Sequence, residues 1–491
     1  MLSEMKKLEK NKAKVEEFLK EKKYSFVEPV SMECGMEFLE YMKSEGIADD
    51  LANAKYTKER EFIDNHEAFP MIYMMNIITG MGSARKMKTI LKDEAAMKLV
   101  GFTSEQIREG VTKRPGNNQH GKGYERKSGV MASATLIDNL ACFELQSMEK
   151  CFNKFIKRIA CSGKVELGDV YILDSSIVET GENYPGAKPL RKVNEEGELT
   201  SEIVWGFKVF ILMSAKTKIP IAIYITTAND ADSPMLKKMV EKGIENIGKE
   251  KIKYVLADRG FIDGTQLYEV KYDMGIDFVI PVRKNMDIWT CMVGLREENK
   301  NNIVEWKYGK KGMSGGYLSK GSVSYAQYAA QAAGSKKHNN GAPLDAVVVT
   351  RWAGKEIAPG NEKVIITSAD AQSATELIEL YGQRSLIENC NFRELKQAAM
   401  LTALPQYKNE NAEATAYMHM LLCIFTLAIF NALVETIYAD DPDVAKQIPK
   451  NIREFRFMKE CEKAKLFVMA ENYYYVYDMS EFMALIGFTL M

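Results

Sequence analysis

The chain has 491 residues and a formal net charge of −1, from 66 Lys and Arg against 67 Asp and Glu. That length predicts two to four domains, and the balanced charge leaves nucleic acid as a partner only through local basic patches. Eight cysteines without a Cys-x-x-Cys pair, and only four histidines, argue against a zinc site or disulfide scaffold and fit reduced cytoplasmic thiols.

Residues 1–23 place Leu2, Met5, Leu8, Val15 and Leu19 among Lys and Glu, which predicts an amphipathic helix and no signal peptide. Helical apolar spacing continues through Ile72 to Ile78, Met87 to Val100 and Thr135 to Ile159, and Thr103-Ser-Glu-Gln106 resembles a capping box. Between these helices, Arg108 to Gly129 carries Lys113, Arg114, Lys122, Arg126 and Lys127 among Gly, Asn and Pro. Such a loop can contact phosphates or simply be solvated. Residues 1–165 are therefore read as a mainly helical N-terminal region.

The texture changes at residue 168. Val170-Tyr-Ile-Leu-Asp174 is an apolar strand ending on an acid, and Lys253-Tyr-Val-Leu-Ala-Asp258 repeats the pattern. Val204 to Met213 and Ile219 to Thr226 read as a hairpin, Met235 to Ile247 and Thr265 to Met274 as helices, and Phe278 to Val282 as a strand. Residues 166–295 thus form the first part of a mixed α/β core. Residues 296–372 are richer in Gly, Lys, Ser and Asn. Strand-like pieces at Tyr317 to Tyr325, Leu344 to Trp352 and Lys363 to Thr367 make this a β-rich insertion, with a polar, mobile stretch at Gly334 to Gly341. Residues 373–440 resume the core and include an apolar run, Met420 to Val434, read as a buried helix rather than a membrane span. Residues 441–491 are mixed, with Tyr473, Tyr474, Tyr475 and Tyr477 clustered.

Within the second core segment, Tyr381, Arg384 and Glu388 fall on one face if the stretch is helical. Alone, this reads as a solvated face with an Arg–Glu pair. Asp174 and Asp258, each ending a buried strand, change the reading, because ligands sit at that edge of open α/β sheets. On neighbouring strands their carboxylates lie roughly 5 Å apart. Acids that close repel, and a cation between them relieves the repulsion. Oxygen donors without His or Cys favour Mg²⁺ or Mn²⁺, and two such ions about 3.5–4 Å apart support phosphoryl transfer. Arg384 and Lys396 can neutralise phosphate charge, and Tyr381 can hydrogen-bond a phosphate oxygen. Asp230, Asp232 and Asp263 read most simply as turn formers, with placement near the site the lesser reading for Asp232; His120 and His419 read as structural, and Trp289, Trp306 and Trp352 as core residues, those in the insertion also able to stack on a base.

Three pieces in order resemble the DDE transposases of bacterial insertion sequences, in the branch with a Tyr-x2-Arg-x3-Glu-x6-Lys signature. They are Leu173-Asp174-Ser175-Ser176, Ala257-Asp258-Arg259-Gly260-Phe261, and Tyr381, Arg384 and Glu388 with Phe392-Arg393-Glu394-Leu395-Lys396. Phe278 to Asn285 also fits, and the resemblance spans roughly residues 168–435. It implies an RNase H-like mixed-sheet core and two divalent ions held by the catalytic acids Asp174, Asp258 and Glu388. It implies phosphate contacts from Tyr381 and Arg384, and terminal inverted repeats read by the N-terminal helices. It also implies a homodimer on double-stranded element ends and target DNA, cut-and-paste cleavage and joining (often through a hairpin), and a bacterial, nucleoid-associated location without a membrane. One departure stands out: seven residues separate Glu388 from Lys396 where the signature has six. In an ideal helix Lys396 would sit about 80° from Glu388. A π-bulge between them would absorb the extra residue; otherwise Lys396 must reach round, or Arg393 substitutes. A repurposed relative that binds or cuts DNA without transposing, and a non-catalytic nucleic-acid-binding protein, are the competing readings.

Overall fold

A computed structural model describes residues 8–30, 33–57, 63–80, 87, 89–111, 129–193, 199–308, 312–334, 342–353, 362–405, 411–437, 448–460 and 464–486. The chain divides into two compact units. One comprises Met1–Phe155, Asn183–Gly186 and Arg393–Met491, and the other Ile156–Glu182 and Ala187–Phe392.

The second unit is built on a ten-stranded sheet. Its strands are β1 (Val170–Thr180), β2 (Lys188–Val193), β3 (Leu199–Ser214), β4 (Pro220–Thr227), β5 (Tyr254–Ala257), β6 (Asp277–Pro281), β7 (Val304–Tyr308), β8 (Gly312–Val323), β9 (Leu344–Ala353) and β10 (Glu362–Thr367). β1, β5 and β6 run parallel. The long β3 lies antiparallel to β1 on one edge and pairs with β2 and β4 on the other. The core order is therefore β4-β3-β1-β5-β6, with helices carrying the chain from β4 to β5 and from β5 to β6. Tyr171 to Leu173, Val255 to Ala257 and Phe278 to Ile280 are all buried, as strands covered on both faces must be.

Helix α1 (Met235–Ile247) packs on β4 and β3 through Leu236, Met239, Val240 and Ile247, which recur at helical spacing. Burying each contributes about 1.5–3 kcal/mol. Gly243 on the same face is small of necessity: a Cβ there would lie 2.8 Å from a Leu212 methyl.

The strand pairing corrects one expectation. β1 does not end at Asp174 but continues to Thr180, because β3 goes on pairing with it from Ser214 to Trp205. Only the parallel pairing with β5 stops at Leu173–Ala257. The β-rich insertion extends the core sheet, since β10 pairs antiparallel with β6 and joins β7 to β10 to it.

In the first unit the apolar stretch forms the helix Ala412–Ile437, long and apolar enough to cross a membrane. Here it packs on helices Glu33–Ser44, Ala68–Thr79 and Ser133–Leu140, which is why residues 393–440 cluster with this unit rather than with the core. Arg456 donates to the carbonyls of Ile77 (2.7 Å), Ile78 (2.5 Å) and Ala398 (2.9 Å), closing the C-terminal end of Ala68–Thr79. The first region is not wholly helical: Phe26–Pro29 and Glu9–Lys10 join the hairpin Lys465–Ala470 and Tyr473–Asp478 in a four-stranded sheet. The expected first helix is Lys12–Lys20, and the run from Thr135 to Ile159 is two helices, Ser133–Leu140 and Leu145–Ser162. The capping box at Thr103 is formed. The basic residues Lys113, Arg114, Lys122, Arg126 and Lys127, and His120, lie outside the described residues, as does 335–341.

Candidate active site

The candidate site lies within the second unit, where β1 and β5 part. Their register pairs Leu173 with Ala257, so the next residues, Asp174 and Asp258, stand side by side. Both aspartates are held alike. Asp174 Oδ1 accepts from the Ser175 amide at 2.8 Å, and Asp258 Oδ1 accepts from the Arg259 amide at 2.8 Å. In each, Oδ2 is left facing the third element.

That element begins as helix α2 (Ala374–Gly382), started by the Ser373 cap. Its last turn tightens: the amides of Arg384 and Leu386 bond three residues back, to Tyr381 (2.9 Å) and Gln383 (2.9 Å). Gly382, a poor helix former, sits where the regular spiral is lost. Ile387–Phe392 then winds as a π-helix before Arg393–Gln397 resumes the α form. The π-turn anticipated between Glu388 and Lys396 is therefore present, and the helix is not continuous.

This geometry brings Arg384 among the acids. Its Nη2 donates to Glu388 Oε1 at 2.6 Å and Asp174 Oδ2 at 2.9 Å, and lies 3.7 Å from Asp258 Oδ2. Burial pushes the Asp174 carboxyl up to about 6, against the opposing pull of Arg384 and the Ser175 amide. Burial disfavours the Arg384 charge too, but the surrounding carboxylates outweigh it and raise its pKa. Tyr381 is buried, its phenol pKa raised by desolvation, and among the described residues neither its hydroxyl nor the buried Nε of Arg384 has a hydrogen-bond partner.

Asp232 also stands at the site, and two further residues, Lys363 and Lys208, gave no signal in the sequence. Lys363 on β10 places its ammonium 4.6 Å from the Tyr381 ring centroid. Desolvation lowers its pKa, with Asp258 acting the other way and Arg384, Arg351 and Arg259 adding to the depression. Asp232 accepts from the Ser175 hydroxyl at 3.0 Å and from the buried Lys208 ammonium at 3.2 Å, and Lys208 also donates to the Asp230 carbonyl at 2.6 Å. Asp232 is thus a neighbour of the site and not merely a turn former. Only non-local strand pairing brings these groups here, so local patterning did not reveal them. Asp263, expected as a turn former, caps the helix Gly264–Tyr272, accepting from the amides of Thr265 and Gln266. Lys396 and Arg393 are exposed and belong to the other unit.

The donor set suits a hard divalent cation, being carboxylate oxygen throughout. Among the described residues no three acids, histidines or cysteines close on one point as a ready metal cage. The Arg384 guanidinium holds the position between them, as a cation matching three anions.

Residues 166–426, just over half of the chain, match the family described as Transposase DDE domain. No curated protein matches the chain by sequence. Among solved structures, a piggyBac transposase synaptic complex with hairpin DNA, determined by cryo-EM, is similar at 11% identity and a TM-score of 0.43, covering 89% of this chain and 82% of that one.

Proposed function

The chain belongs to the DDE transposases, and from that premise we propose that Asp174, Asp258 and Glu388 are its catalytic acids. It is a DNA transposase, an enzyme of strand cleavage and joining that acts with divalent metal ions. The single observation supporting the residue assignment is that all three carboxylates approach one nitrogen of Arg384 within 3.7 Å. The strand order β4-β3-β1-β5-β6 supports an RNase H-like core, with the first two acids following adjacent parallel strands.

The three acids would hold two Mg²⁺ or Mn²⁺ ions. Bound there, the ions supply activation of the attacking oxygen and neutralisation of the leaving one. The chain's own residues do the rest. The Tyr381 hydroxyl, buried and without a partner among the described residues, would donate to a non-bridging phosphate oxygen. Arg384 would offer its planar fork to the same phosphate. Ser175 and Arg259 keep the two aspartates aimed by their backbone amides. The Tyr-Arg-Glu pattern, with the π-turn absorbing the extra residue before Lys396, favours the insertion-sequence branch and action as a dimer on paired DNA ends.

The test is cleavage of a duplex carrying the DNA that flanks the gene on both sides, with and without Mg²⁺. The parent should nick the element ends only with the ion, and Asp174→Ala and Glu388→Ala should not. Equal cutting by parent and variants would remove the assignment.

A further inference from the structure

We propose that Lys363 is a further phosphate-binding residue of the transposition reaction, contacting a phosphodiester of the DNA strand led into the site. This rests on the transposase reading above and adds a residue to it. β10 is the last strand of the insertion, and it returns antiparallel to β6, pairing Ile365 with Pro281. Its first residues therefore project past the C-terminal end of β6, the same edge at which Asp258 follows β5. The insertion thereby delivers a lysine to the catalytic edge from more than eighty residues beyond the strand it pairs with.

The surroundings of that lysine suit an anion. Its ammonium rests on the face of Tyr381 at 4.6 Å, a cation–π contact that fixes the amine while leaving its N–H groups available. Among the described residues it makes no ion pair. Among the described residues the Tyr381 hydroxyl and Arg384 Nε are buried donors without an acceptor, and the Arg384 charge acts on the Lys363 ammonium. Arg259 and Arg351 contribute to the same local field. An ammonium, a phenol and a guanidinium around one spot offer hydrogens to several oxygens of one group, and a tetrahedral phosphodiester is the acceptor that such a set fits. Asp258 close by would repel that phosphate, so a positive side chain at this position also offsets the acid.

The experiment is equilibrium binding of the full chain to the flanking-DNA duplex across a salt titration in EDTA. Parent, Lys363→Ala and Lys363→Arg are compared, with a melting temperature for each and Mg²⁺-dependent nicking of the same duplex recorded separately. Loss of one phosphate contact should weaken Lys363→Ala by roughly tenfold. It should also flatten the slope of log K against log salt by about 0.9. Lys363→Arg should keep the slope, and all three proteins should melt alike. An Ala variant with the parent's affinity and slope overturns the proposal. So does a variant that binds less well only because it melts lower, with no rescue by Arg. Failure of the parent to nick, with its salt slope still reduced in Lys363→Ala, would instead overturn the catalytic reading and leave the phosphate contact standing.

Discussion

Arg384 Nη2 stands 2.9 Å from Asp174 Oδ2 and supplies the counter-charge for a carboxylate that is almost fully buried. The same nitrogen reaches Glu388, so one guanidinium holds together two elements more than two hundred residues apart. Removing it should leave the acids repelling one another in a poorly solvated place. Arg384→Ala should cost on the order of 3 kcal/mol in metal-free buffer. Mg²⁺ should raise the melting temperature of this variant more than that of the parent, because in the parent the guanidinium competes for the same oxygens. Equal shifts in scanning fluorimetry would contradict this.

Glu388 separates chemistry from stability. Its side chain is 53% exposed, so it lends the fold little. Glu388→Gln should change the free energy of unfolding by no more than about 0.5 kcal/mol. Single-turnover cleavage should nevertheless fall by about 10³-fold or more. Urea melts and quenched cleavage of the same preparation give both numbers.

Lys208 and Asp232 form the support behind Ser175. The Lys208 side chain is only 7% exposed, so leaving either partner alone strands a charge. Lys208→Met should destabilise by on the order of 3 kcal/mol. The double change with Asp232→Asn should cost less than the two single changes added together, since neither charge is then left unpaired. A denaturant double-mutant cycle measures the coupling, and strict additivity would show that the pair does not act as one.

His419 gives the first unit a pH dependence. It accepts at Nδ1 from the Tyr73 hydroxyl (2.7 Å), and its Nε2 hydrogen goes to the Met400 carbonyl (3.0 Å), so the neutral ring is the folded form. Burial lowers its pKa from 6.5 to about 4. The unfolded chain therefore binds the extra proton first as pH falls. The stability His419 contributes is intact above pH 6.5 and is lost as pH falls from 6.5 toward 4, by about 3 kcal/mol in full. Denaturant titrations at several pH values should show a shallower loss across this window in His419→Gln than in the parent.

Much of the core was legible because its signals are local. Met235 to Ile247 has helical apolar spacing and is a helix over those same residues. Thr103 and Gln106 form the box their spacing announces. The π-turn was legible only against a family pattern, through one surplus residue before Lys396. What was hidden depends on pairings between distant segments. Nothing near Asp174 says that β3 will carry β1 on to Thr180. Phe26–Pro29 pairs with Lys465–Ala470 from the far end of the chain, and Lys363 reaches the acids only because β10 lies against β6. Asp232 has the composition of a turn; the buried lysine behind it, 24 residues away, makes it part of the site.

The central claim is that three acids hold divalent ions at the place where Arg384 now sits. Mn²⁺ uptake by the full chain, followed by electron paramagnetic resonance with the flanking-DNA duplex present, tests it most directly. The parent should take up two ions, and Asp174→Ala, Asp258→Ala and Glu388→Ala should each lose at least one. Equal uptake by all four proteins would contradict the account.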